Sequence, residues 1–359
     1  MESLFPGLPD EIGWECLLRV KLNSHHKLRC VCKSWNAALK SPHFYGEKKR
    51  LKFSEQRICM LQKIDGICNR VAVYDLEKNS CKSLPPIPGE INNIFHCHFV
   101  KQKLVLIPDL IAGSTRCVLL YDFACLKWRQ GAKMPRWLNG FASAADEHGG
   151  LIYVGGGFDR FYIDRWNRRY SFGNPVRSAL VYNVEEDKWD LLPDMNTYIA
   201  LIDLLPDMKT IMEFIELSIN GVFADGKFYV MGYSGSFEVF DSNARSWKTM
   251  ENRFDSWCYV CVFGRFYCFS GRGLIEYDYG QDNLDFLGPL PTEDWARSID
   301  FAVVVGNKIF VSKWNTIQGQ HFCMVEPPNE IGGTFKLIDT LAASSDLKGS
   351  TIHAATLDL

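Results

Sequence analysis

Long apolar runs are missing from this 359-residue chain. The longest candidate, Ile199–Leu205, is broken by Asp203 and followed by Pro206, and no apolar stretch stands near the N-terminus. A membrane-spanning helix needs about 20 apolar residues, so the sequence predicts neither insertion nor secretion, but a soluble protein of the cytoplasm and/or nucleus with no membrane partner. Charge of one sign is missing too: 40 Lys plus Arg stand against 42 Asp plus Glu, a formal net charge of −2. That balance lacks the footprint of a general nucleic-acid binder, and no nucleic-acid partner is expected. Histidine is sparse, at eight residues, and the thirteen cysteines are odd in number and follow no framework of spacings. They are expected to be reduced thiols, many of them filling strand cores.

Signatures of chemistry are equally thin. Cys258 and Cys261 have a zinc-like spacing, but they fall in a strand-like run and have no second pair. His96-Cys97-His98 and Cys30-Val31-Cys32 stand similarly alone, so no metal and no cofactor is expected. Gly155–Gly157 is followed by neither Lys-Ser/Thr nor a helix and is not a phosphate loop. No Gly-x-Ser-x-Gly precedes a helix, and Tyr233-Ser234-Gly235-Ser236 reads as a turn. No catalytic residue is assigned.

What is present is a spacing. Tyr74-Asp75, Tyr121-Asp122, Tyr182-Asn183, Phe240-Asp241 and Tyr277-Asp278 are each followed, seven residues after the aromatic, by Cys81, Trp128, Trp189, Trp247 and Leu284. In an antiparallel hairpin this offset puts both residues on one face as a cross-strand pair. Polar runs such as Glu185–Lys188 and Ser242–Arg245 supply the turns, and β-branched and aromatic strands precede the pairs at Leu151–Val154, Lys227–Met231 and Arg265–Phe269. A further unit is read from Ile299 to Asp339, with strands Ala302–Val305 and Lys308–Val311 but no marker aromatics. One unit cannot bury its apolar face alone, so the units stack radially. This order of strand, Gly-rich break, aromatic-Asp strand and Trp strand resembles the kelch motif, which implies a mainly β, six-bladed propeller. Thr351–Leu359 is a candidate closing strand, and residues 55–62 are the alternative.

Residues 4–44 have another texture. Pro9, Asp10 and Glu11 stand where a first helical turn wants them, and Ile12, Cys16, Leu17 and Val20 recur at helical spacing. Ser24 is read as the cap of a second helix with Leu28, Val31 and Cys32, and a third holds Trp35, Ala38 and Leu39 and ends before Pro42. Three short helices make a core too small to stand alone and lean on a partner. The strings Leu8-Pro9-Asp10-Glu11, Cys16-Leu17, Val31-Cys32-Lys33-Ser34-Trp35 and Ser41-Pro42-His43-Phe44 resemble the F-box. That resemblance implies docking on the Skp adaptor of a cullin ubiquitin ligase. Leu8, Pro9, Leu17, Leu28, Val31, Cys32 and Trp35 would supply the adaptor-facing or supporting apolar surface.

The resemblances divide the chain into an F-box-like module (1–46), a basic linker (47–57) and a propeller (58–359). Together they resemble the plant F-box/kelch-repeat family, substrate receptors of SCF-type ubiquitin ligases. Some members of one group target phenylalanine ammonia-lyase, hence phenylpropanoid synthesis; others are linked to hormone-response regulators. The resemblance implies a non-enzymatic receptor. The alternatives are a kelch scaffold without a ligase and, last, a propeller enzyme.

Two insertions interrupt the repeats. Residues 158–177 place Arg160, Arg165, Arg168, Arg169 and Arg177 among Trp166 and other aromatics, the composition of binding hot spots. Arg160, Arg165, Trp166, Arg168 and Arg169 are the candidate target-binding residues, with a solvated loop as the alternative. In the second insertion, residues 196–220, the string Asp190–Met195 recurs as Asp203–Met208; it reads as a local duplication, with a degraded blade strand and an apolar docking surface as the alternatives.

Overall fold

The computed structural model describes residues 4–64, 68–78, 80–88, 94–109, 116–159, 161–164, 169–198, 220–231, 236–251, 256–262, 264–270, 273–278, 283–288, 299–315, 319–328, 336–342 and 350–358. Among them, four short helices precede six four-stranded antiparallel sheets, the blades of a propeller. Blades one to five follow in chain order as residues 94–133, 142–191, 220–251, 256–288 and 299–342. Blade six joins both ends of the ring. Its inner strand is Ser350–Asp358, paired with Gln56–Ile64, and Cys68–Asp75 and Ser80–Ser83 lie outside them. Both segments read as candidates for closure therefore take part in it, with Arg57 opposite Leu357.

The inner strands Ile94–Val100, Ala142–Asp146, Asn220–Ala224, Ser256–Val262, Ile299–Val305 and Ser350–Asp358 each pack against the next around the axis. The core lies between blades rather than within one. At the first joint, buried Val105, Ile107, Val118 and Leu120 meet Ile152, Val154, Leu180 and Tyr182. Each side chain of this size contributes about 1.5–3 kcal/mol on leaving water, so a blade is stable only against its neighbours.

The seven-residue spacing is the geometry of the outer hairpins. Tyr74 faces Cys81, Tyr121 faces Trp128, Tyr182 faces Trp189, Phe240 faces Trp247 and Tyr277 faces Leu284, each directly across the ladder. In the three Trp pairs the ring centroids lie 5.1, 5.0 and 5.1 Å apart. The residue after the aromatic shapes the turn: Oδ1 of Asp122, Asn183 and Asp241 each accepts two backbone N–H groups at 2.6 to 3.1 Å. Blade five has its four strands without any such marker.

The Gly155–Gly157 break also has a physical cause. Gly157 takes φ +85°, and a Cβ there would lie 2.4 Å from the carbonyl oxygen of Asn139. Only glycine satisfies both the backbone sign and this approach. Part of the 158–177 insertion is a hairpin, Phe161–Asp164 against Arg169–Phe172.

The helices are α1 (Asp10–Leu18), α2 (Leu22–Leu28), α3 (Lys33–Ala38) and α4 (Pro42–Arg50). Three were expected. The fourth arises because Pro42 starts a helix as well as stopping one: it occupies the first turn, where its missing N–H costs nothing. The Ser41 hydroxyl oxygen caps that turn by accepting the Phe44 N–H at 3.1 Å. Lys48, Lys49 and Arg50 form its last turn, where positive charge suits the helix dipole. Ser24 lies inside α2 rather than capping it, since its N–H already donates to the Lys21 carbonyl. Among the described residues no helix is long and apolar enough to cross a membrane.

Candidate functional site

The helical module has a filled interior and an apolar exterior. Leu17 and Leu18 from α1 pack on Ala38, Leu39, Phe44 and Tyr45, with Leu28 and Trp35 half-buried against them. The segment before α1 is tied down at Leu4 and Phe5. The Trp35 indole donates to the Leu4 carbonyl at 2.6 Å, Phe5 packs on Trp35 at 4.6 Å, and Asp10 accepts the Leu4 N–H at 3.0 Å. Above this support stand exposed Leu8 (44%), Ile12 (48%) and Val31 (60%), with Pro9 and Cys32 also exposed. Cys32 caps α3, its Sγ accepting the Trp35 N–H at 3.5 Å.

The structure therefore divides the seven candidate adaptor residues. Leu8, Pro9, Val31 and Cys32 face solvent, Leu17 is core, and Leu28 and Trp35 lie between. Ile12, one of the apolar residues at helical spacing in α1, joins the exposed set. Beneath the module, the Val20 carbonyl just past α1 accepts from Lys48 Nζ and from His25 Nε2, each at 3.1 Å. Both side chains are buried. Burial, then the Lys48 charge, holds His25 down to about 4, so its ring is neutral at pH 7.

Strand alternation gives the propeller two distinct ends. Turns between a blade's first and second strands, and between its third and fourth, lie at one end; the remaining links lie at the other. The helices sit at the first end: Lys21 reaches Glu77 at 3.1 Å and Lys49 reaches Glu147 at 3.7 Å. Glu77 follows the third strand of blade six and Glu147 follows the inner strand of blade two. The end facing away carries the links of residues 134–141 and 156–178. Of the candidate target-binding residues, Arg160, Arg165, Trp166 and Arg168 lie outside the described residues. Arg169 opens a strand of the inserted hairpin, across from Asp164. Most of the second insertion, with the repeated Asp203–Met208, lies outside them as well.

A buried polar joint between blades one and two escaped the sequence reading. The Ser143 Oγ lies 2.9 Å from His96 Nδ1 and 2.7 Å from His98 Nε2. Asp109 stands 3.5 Å from His96 Nε2 and accepts the Gly140 N–H at 2.9 Å. Burial, then His96, holds His98 down to about 3, so it is neutral in this joint. The available signal was the alternation His96-Cys97-His98, which puts both imidazoles on one strand face. Cys258 and Cys261 both fall on the strand Ser256–Val262. Among the described residues no group of three His, Cys, Asp or Glu is placed to hold a metal.

A second buried acid organises the next joint. Glu238, fully buried in blade three, accepts the Thr197 N–H at 3.1 Å, the Thr197 hydroxyl at 2.7 Å, the Thr249 hydroxyl at 2.7 Å and the Asn196 N–H at 3.3 Å.

An F-box domain model matches residues 5–46, and a Kelch motif model matches residues 142–196. Relatives from Arabidopsis thaliana share more of the chain. F-box/kelch-repeat protein At1g15670 is 27% identical over 296 residues, covering 73% of this chain and 75% of its own. F-box/kelch-repeat protein At1g80440 is 26% identical, covering 70% of each. Putative F-box/kelch-repeat protein At1g27420 is 22% identical, covering 97% of this chain and 96% of its own. A chain of the crystal structure of a nidogen/laminin complex superimposes with a TM-score of 0.54 at 10% identity, covering 84% of this chain and 98% of that one; this likeness concerns the fold alone.

Proposed function

From the premise that this chain is an F-box/kelch-repeat protein of the plant type, we propose that it is the substrate-recognition subunit of an SCF-type ubiquitin ligase, acting in the cytoplasm or nucleus. The F-box module (1–46) holds a Skp-type adaptor and through it a cullin, residues 47–57 join the two parts, and the propeller (58–359) holds a target protein. Transfer then follows from proximity, since a bound target raises the effective concentration of its lysines near the charged conjugating enzyme. No catalytic group is required of this chain.

The observation that carries the reading is the exposed set Leu8, Ile12 and Val31 on a module whose interior is already filled. Apolar side chains held out of a complete core gain by covering with a partner. The sequence insertion 158–177, with Arg160, Arg165, Trp166, Arg168 and Arg169, belongs to the target side of the proposal. Enzymes of phenylpropanoid synthesis are the proposed target class, and phenylalanine ammonia-lyase is the first to test.

The test is co-purification with a recombinant Skp adaptor. Wild type should capture it stoichiometrically, and Leu8→Asp with Pro9→Ala should abolish capture while leaving the propeller folded. Failure of a folded wild type to capture it would leave a kelch scaffold without a ligase.

A further inference from the structure

Resting on the receptor reading, we propose that the propeller end facing away from the helices docks an acidic segment of the target, through an arginine–aromatic rim at the joint of blades one and two. Arg116, Arg136 and Arg177 form the rim, with Trp137 and Tyr198 beside them. The Arg116 guanidinium lies over the Trp137 ring at 4.9 Å and donates to the Pro135 carbonyl at 3.2 Å. Arg177 lies over Tyr198 at 5.5 Å and donates to the Asn196 carbonyl at 3.4 Å. Arg136 stands between them, donating to the Ser178 hydroxyl at 2.6 Å. Backbone bonds fix the platform: the Met134 N–H donates to the Arg116 carbonyl and the Met195 N–H to the Arg177 carbonyl.

The charge of this rim is unbalanced. Among the described residues, Asp194 is the one carboxylate within ion-pair range of the three guanidinium groups, at 3.8 Å from Arg136, and both partners are about half exposed. Three cations against one anion leave a positive surface on a chain whose total charge is −2. Stacking on an aromatic occupies the face of a guanidinium and leaves its in-plane N–H edge for a planar carboxylate. The stacked arginines have also already lost much of their rotamer freedom, which lowers the cost of docking. Trp137 and Tyr198, 44% and 58% exposed, offer apolar area next to each charge. A nucleic acid fits less well, because a near-neutral chain with three rim cations lacks the long basic track that phosphate backbones require.

The experiment is fluorescence anisotropy on the full chain at low salt. The probes are a fluorescein-labelled peptide of alternating Asp, Glu and Gly, its Asn/Gln/Gly isostere, and a labelled oligouridylate. The acidic peptide should bind at least about tenfold more tightly than the isostere, and R116E/R177E should weaken it at least about tenfold. K127E, at the helix-bearing end, should leave binding unchanged. R116Q/R177Q gives the same reading without charge reversal if the first variant fails to fold. Equal binding of acidic peptide and isostere, wild-type affinity in the folded double variant, or tighter binding of the oligouridylate would each overturn the proposal. Adaptor capture is measured on the same preparations. Its absence alongside intact acidic-peptide binding overturns the receptor reading but not the rim; capture without acidic preference overturns the rim alone.

Discussion

Trp247 donates its indole Nε1–H to the carbonyl oxygen of Pro193 at 2.7 Å, fastening the outer hairpin of blade three to the chain leaving blade two. Trp128 makes the same bond to Pro85 at 2.9 Å, and Trp189 to Ala132 at 3.4 Å. The repeated Trp therefore fills its own hairpin with its ring and rivets the preceding blade with its one N–H. Trp247→Phe should keep the contact with Phe240 and lose the rivet, costing about 1 kcal/mol, whereas Trp247→Ala should cost about 3 kcal/mol. Urea unfolding curves distinguish the two terms; a Trp247→Phe variant as stable as wild type would mean that the bond contributes nothing.

On the helical module, exposed and buried apolar residues should behave oppositely. Ile12→Asp and Val31→Asp should lower adaptor capture at least about tenfold while changing stability by less than about 0.5 kcal/mol. Leu17→Ala, in the module's core, should cost about 2–5 kcal/mol and weaken capture only through loss of the fold. Capture titrations and thermal melts on the same samples check both.

Acid should destabilise the chain through His25 and His98. Both are neutral when folded, held down to about 4 and about 3, against roughly 6.5 in the unfolded chain. The unfolded state therefore binds the extra proton first: their contribution is full above about pH 6.5 and is lost as pH falls toward the folded values. At pH 5 each should have cost about 2 kcal/mol relative to neutral pH. His25→Gln, which can still donate to the Val20 carbonyl, should remove its share of that slope. An unchanged slope in unfolding free energy between pH 7.5 and pH 5 would refute the assignment.

Glu238→Ala should be among the costly single changes, because it strands two hydroxyl and two backbone donors at a buried site. The expected loss is about 3 kcal/mol, with Glu238→Gln intermediate. Faster hydrogen exchange at Asn196 and Thr197 should accompany it, since these residues lose their anchor.

Local pattern made the blades legible in the sequence, and long-range pairing hid most of the rest. Tyr182 and Trp189 lie in one hairpin, so their spacing alone reports their contact. Thr197 and Glu238 lie 41 residues apart, and a lone acid in an apolar strand does not announce its partner. Ser143 is likewise mute until the ring brings it between His96 and His98. In α1 the helical spacing is real, but it cannot say which apolar residues face inward: Leu17 is core and Ile12 is surface. Pro42 is ambiguous for a different reason, because the property that ends one helix also begins the next. The two ends of the propeller follow from the order of strands in each blade, which the repeat markers alone do not supply.

The pairing of Ser350–Asp358 with Gln56–Ile64 sets a timetable for synthesis. The helical module is made before the ring, and the blade begun next to it stays without an inner strand until residues 350–358 are added. At ribosomal elongation rates that interval is on the order of tens of seconds. Throughout it, the strand at residues 56–64 offers unpaired backbone groups to any passing chain. On the receptor reading, a nascent chain engages an adaptor before it has a finished target surface, and loss of the 350–358 strand leaves an open ring beside an intact helical module.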